Sequence, residues 1–169
     1  SRGAGGFARP VFAGKEQAMS HVNLIVADKA LPLCDKKEFR EHTSTMGGRT
    51  CTVGFDCGFS VSLHEYYRNA VDALELEMKP FQYWLDFEVC RTDLDHLLAY
   101  LRDNFTPGEE VELWSLWVGS GAGRTRHYRG KLSEFDLDTL GMLYELQREP
   151  DLTGEFDDLI CQVCVTVEI

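Results

Sequence analysis

Residues 111–131 read VELWSLWVGSGAGRTRHYRGK. Val111 to Val118 is apolar at both alternations of an extended chain, apart from Glu112 and Ser115. A strand of that kind is buried on both sides and belongs at the centre of a sheet. Gly119-Ser-Gly-Ala-Gly123 then predicts a turn. Arg124, Arg126, Arg129 and Lys131 mark the return as a polar edge strand, guarded by charge against stray pairing. Two strands joined by a glycine turn read as a hairpin.

Working outward, Val22 to Ala27 is a short, almost continuous apolar run and predicts a second buried strand. Thr50 to Phe59 alternates through Val53, Phe55, Cys57 and Phe59. Phe81 to Val89 alternates through Tyr83, Leu85 and Phe87. Leu159 to Ile169 closes the chain with Cys161, Val163, Val165 and Val167 on one face. Leu31 to Gly48, with Pro32, mixed charges and a Gly-Gly pair, reads as a loop.

Three helices are predicted from capping boxes. Ser62-Leu-His-Glu65 opens the first, with Tyr67, Ala70, Val71, Leu74 and Met78 at helical spacing and Pro80 as its stop. Thr92-Asp-Leu-Asp95 opens the second, whose stripe is Leu94, Leu97, Leu98, Leu101 and Phe105. Ser133-Glu-Phe-Asp136 opens the third, with Leu137, Leu140 and Tyr144 on one face. The expected fold is α+β: a mixed or mainly antiparallel sheet with about three helices against one face.

The chain has 169 residues, enough for one domain with a real core, and 44% of them are hydrophobic. Residues 1–18, rich in Gly and Ala and bearing a net +2, read as a leader or artificial extension without structure. Residues 19–169 read as a single domain. The formal net charge is −11, so residues 19–169 carry −13. A field of that sign repels nucleic-acid backbones and anionic membranes and attracts basic partners. No apolar run reaches the ~18–20 residues of a membrane span. With six cysteines read as free thiols, the expected setting is the cytoplasm.

No motif names a reaction. Cys161-x-x-Cys164 lacks a second pair and sits in a strand, where residues three apart face opposite ways. The glycines at 119–123 precede a strand and not a helix, so no phosphate cradle is expected. The five histidines form no HxH or HExxH pair. The basic run 124–131 could contact an acidic partner, guard an edge, or pair with the domain's own carboxylates. No catalytic residue, cofactor or metal ligand is expected.

The stretch VELWSLWVG, the return HYRGKLSEFDLDTL and the closing strand resemble small acidic immunity proteins of bacterial toxin–immunity systems. That resemblance implies an inhibitor that binds a cognate toxin domain, often a nuclease, and masks its active site. The residues expected to bind such a basic partner are acidic and aromatic: Glu65, Tyr66, Glu109, Glu110, Glu112, Asp136 and Asp138. The alternative is a small enzyme or small-molecule binder with a pocket of Trp114, Trp117, Tyr83 and His127. A third reading, a mimic of nucleic-acid charge, draws on the same acidity.

Overall fold

A computed structural model describes residues 19–119, 122–155 and 158–169. The leader predicted at 1–18 and the tip of the glycine turn lie outside the described residues. The order is β1 (Ser20–Ala27), β2 (Cys34–Asp35), β3 (Glu38–Met46), β4 (Arg49–Cys57), β5 (Ser60–Leu63), α1 (Arg68–Asp72), β6 (Phe81–Asp86), α2 (Arg91–Asn104), β7 (Glu110–Val118) and β8 (Ala122–Lys131). A 3-10 turn (Leu132–Glu134), α3 (Leu137–Met142), β9 (Gln147–Pro150) and β10 (Asp158–Glu168) complete it. The fold is α+β, as the sequence predicts.

Eight strands form one sheet, ordered β2-β5-β6-β1-β7-β10-β8, with β9 beside the start of β10. All described pairings in it are antiparallel except β10 with β8. β1 and β7 are central and buried on both faces, as their apolar runs require. The predicted hairpin is corrected: β7 and β8 follow each other in sequence but do not pair, because β10 lies between them. Ile160 to Val165 of β10 is buried at every position, so this strand needs neighbours on both edges. β8, with four basic side chains, cannot fill an interior place and stays at the edge. A parallel β8–β10 pair needs a crossover, which the 3-10 turn and α3 supply.

Two clusters fill the sides of the sheet. On one face, Leu94, Leu97 and Leu101 of α2 and Leu140 of α3 pack on Ile25, Leu85, Leu113, Val163 and Val165. On the other, Val22, Leu24, Val26, Trp114, Leu116 and Cys164 meet Val71 of α1, with Ala70, Leu74, Leu76 and Met78. Helices against one face only is therefore corrected: the segment around α1 covers the second face.

The capping boxes lie elsewhere than predicted. Ser62 is in β5, and α1 begins only at Arg68 with no side-chain cap. α2 begins at Arg91, and the carboxylate that reaches back is Asp93, accepting from the Glu88 N–H at 2.7 Å. α3 is capped by Asp136, which accepts from the Thr139 N–H. The predicted loop at 31–48 contains a nine-residue strand, β3.

Candidate interaction surface

β3 and β4 form a two-stranded ribbon of their own, apart from the main sheet. Every residue of both strands is exposed except Cys57, which is half-buried. Gly47 and Gly48 close the tip with positive φ, as a two-residue hairpin turn with left-handed backbone requires. The pairing register sorts the ribbon into two unlike faces. One carries a hydroxyl ladder, with Thr43 bonded to Thr52 at 2.9 Å and Thr45 to Thr50 at 3.2 Å. There Phe39 lies across Gly54, its ring occupying the space a Cβ would take. The opposite face holds Phe55, Val53, Cys51 and Met46, paired with Arg40, His42, Ser44 and Arg49. Met46 is 87% exposed, and Val53 and Phe55 are exposed beside it.

Two ion pairs fix the base of this arm. Lys37 meets Asp86 at 2.7 Å and Arg40 meets Glu88 at 3.2 Å. Asp86 also accepts from the Trp84 indole at 2.7 Å. It lines a shallow depression with Ser62, Leu63, Glu65, Tyr66 and Trp84. Tyr66 is 86% exposed and meets Tyr67 edge-on, and Tyr67 in turn stacks on Trp84 at 5.7 Å. β2 covers only Ser60 and Val61 of β5, so the outer edge at Ser62 and Leu63 is open. Arm base, open edge and aromatic ladder thus share Asp86 as a common point.

The seven predicted binding residues fall in three places. Glu65 and Tyr66 come together in the depression. Glu109, Glu110 and Glu112 stand at or just before the start of β7, each engaged within the fold. Glu109 accepts from the Thr106 N–H and meets Lys29 at 2.9 Å, which together, the Thr106 bond foremost, hold its carboxyl below the usual range. Glu110 pairs with Arg129, which lowers its pKa and raises that of the guanidinium. Glu112 accepts from the Trp114 indole at 2.9 Å. Asp136 is occupied by Thr139, whose N–H lowers its pKa, while Asp138 lies exposed in the first turn of α3. Two side chains of the basic run of β8 are likewise engaged within the fold, Arg129 on Glu110 and Arg126 on Gln147 and the Arg148 carbonyl.

The four residues of the alternative pocket do not come together in one site. Trp114 packs in one cluster with His127 edge-on to it, while Tyr83 packs on the other side and Trp117 lies on the face opposite Trp114. A nucleophile–base pair does exist: His21 Nε2 lies 2.7 Å from Ser115 Oγ, and the ring stacks on Trp117 at 4.4 Å. Ser115 is fully buried in the central strand, out of reach of a substrate carbonyl, so the bond serves to satisfy a buried hydroxyl. The other depressions among the described residues are open to solvent.

One donor cluster escapes sequence reasoning. Ligand atoms of Glu88, Cys90 and Asp93 all lie within 4.8 Å of one another. They come from a single stretch, EVCRTD, that matches no stock metal spacing. No protein-family model matches the chain, and no curated protein or solved structure is similar to it.

Proposed function

We propose that this chain is a protein-binding inhibitor of the immunity type, which occludes the active site of a basic toxin or nuclease domain in the bacterial cytoplasm. The observation that carries this reading is the β3–β4 arm. A two-stranded ribbon is at best marginally stable alone in water. This one holds three large apolar side chains in solvent along one face. Such a face is explained by a partner that covers it. The arm joins a depression with Glu65, Tyr66 and an open strand edge, so anchors, hydrogen-bonding edge and charge lie on one continuous surface. The partner is basic because the chain carries −11 overall. Occlusion itself needs no cofactor.

The test is a pull-down from the native host at low and high salt, followed by co-expression with the basic toxin or nuclease domain it captures. Cells should grow with the wild-type chain and die with Val53→Asp/Phe55→Asp or with Tyr66→Ala/Glu65→Lys. Equal protection by all variants would remove this surface from the inhibitor. No protection by the wild type would remove the inhibitor reading.

A further inference from the structure

β5 and β6 are adjacent antiparallel strands, paired from Ser60 against Asp86 to Leu63 against Tyr83. Hairpin connections ordinarily take about 2–5 residues, yet here the chain runs through residues 64–80 between the two. The excess is laid over the second face of the sheet, where Val71 is buried and Ala70, Leu74, Leu76 and Met78 are partly so. It is lightly fastened. α1 is five residues long, with no side-chain cap and no acidic residue in its first turn. Glu75, just beyond it, has a φ of 52°, a left-handed backbone that favours glycine. Among the described residues, side chains of this segment reach the rest of the fold by two hydrogen bonds, Tyr67 to Ser20 at 3.1 Å and Lys79 to Asp28 at 2.5 Å. At its root stands His64, 4% exposed, with no partner for either ring nitrogen among the described residues. The charged groups that act on the ring are Arg68 and Asp72, both on α1, and from β6 it meets the Trp84 ring at 6.3 Å. An imidazolium in that place would be a buried charge with two N–H donors and no acceptor.

We propose that residues 64–80 are a strap that lifts from the second face of the sheet when His64 takes up a proton, and that its lifting takes down the depression formed with Glu65 and Tyr66. The strap stands on its own geometry, and only its consequence for binding rests on the inhibitor reading of that depression. With the strap open, the ring lies in water and titrates near its ordinary 6.5. With the strap closed, burial and Arg68 hold it toward the neutral form, against Asp72. Protons are therefore taken up on opening as pH falls, and the closed form is favoured above about pH 6.5. One proton is linked, so the ratio of open to closed rises by up to about tenfold per pH unit below that value. β5 and β6 keep their pairing throughout, because the strap lies on the sheet and supplies none of its ladder, so the opening is local. The docking face is thus present at neutral pH and withdrawn in acid.

The experiment is amide hydrogen exchange on the full chain at pH 7.5 and 5.5, with rates corrected for the intrinsic effect of pH. Amides of residues 66–78 should lose protection by up to about tenfold at the lower pH, while those of β5, β6 and β7 hold theirs. His64→Leu and His64→Gln should each give the same strap protection at both pH values, and two variants are used so that poor packing of one does not decide the result. Acrylamide quenching of tryptophan fluorescence should rise over the same interval in the wild type, as the strap uncovers Trp84 and Trp114. Equal strap protection at both pH values in the wild type overturns the strap, as does a pH response that survives both His64 variants. Loss of protection in β5 and β6 to the same degree overturns it as well, in favour of global unfolding. Strap amides that respond while quenching stays flat overturn the loss of the depression. Both measurements are made on the chain alone, so their outcome is independent of whether a toxin domain binds it.

Discussion

At His64 the fold holds a buried imidazole with neither nitrogen bonded. Burial lowers its pKa, Arg68 lowers it further and Asp72 opposes them. His21 is also lowered by burial, against a raising contribution from the Leu143 carbonyl. For a histidine whose folded pKa lies below its unfolded value near 6.5, the unfolded chain takes up protons first as pH falls. Stability from keeping both rings neutral is therefore complete above about pH 6.5 and is lost as pH falls from there through the folded pKa values. The lowered carboxylates, Glu109, Glu110 and Asp136, act in a more acid window, because their ordinary values are 4.5, 4.5 and 3.8. Urea midpoints should thus fall between pH 7.5 and 5.5, before any of those carboxylates titrates. His64→Leu removes one of the two imidazoles whose pKa burial lowers and should flatten that fall without loss of stability at pH 7.5. An unaltered slope in that variant would assign the pH dependence to other groups. Nothing in the neighbourhood of His64 in the sequence announces this state, since SLHE reads as an exposed first turn. The side chain is buried because β5 runs to Leu63 and the chain then folds over Trp84.

At the scale of elements, α2 was the most legible piece. Its stripe of Leu94, Leu97 and Leu101 is buried as the 3.6-residue period demands. Leu97→Ala empties a fully buried position beneath the sheet and should cost about 2–5 kcal/mol in chemical denaturation. The arm is its opposite. Alternation through Val53, Phe55 and Cys57 was legible as a strand, but alternation says only which side chains share a face. Whether that face meets the same chain or another is decided by distant packing, and here Phe59 enters the core while Val53 and Phe55 do not. Val53→Ser/Phe55→Ser should therefore leave the melting temperature nearly unchanged, within about 0.5 kcal/mol of wild type. A loss on the scale of Leu97→Ala would mean that the apolar face is covered by the chain itself. The helix starts misled for a related reason: a hydroxyl followed three residues on by a carboxylate is a local pattern. Asp93 and Asp136 cap from other offsets.

Across the whole molecule, the strand order was not in the local pattern either. The glycine turn implied adjacency of β7 and β8, yet the strand buried on both faces, β10, took the inner place and pushed the basic strand outward. That placement brings Arg129 to Glu110 and so determines which charges remain free for a partner. Composition gives the total of −11 but not its distribution. With Glu109 held by Lys29 and Glu110 by Arg129, the start of β7 is locally balanced. Of the seven predicted binding residues, Glu65, Glu112, Asp136 and Asp138 have carboxylates in no ion pair, and Glu112 and Asp136 are taken up by the Trp114 indole and by Thr139. Of these four, Glu65 alone lines the depression beside the aromatic ladder and the arm base. Charge that is already paired contributes little field at a distance, whereas an unpaired carboxylate beside a docking face steers encounter. Glu65→Lys should accordingly slow association with a basic partner at low salt, and the difference from wild type should shrink as salt shortens the screening length to about 8 Å near 0.15 M. Glu110→Gln, which releases Arg129, should change the on-rate less and act chiefly on the anchoring of β8. Stopped-flow association measured across a salt series distinguishes the two. If Glu110→Gln slowed association more than Glu65→Lys, the partner would approach along the β7–β8 end, and the arm would not be the face that receives it.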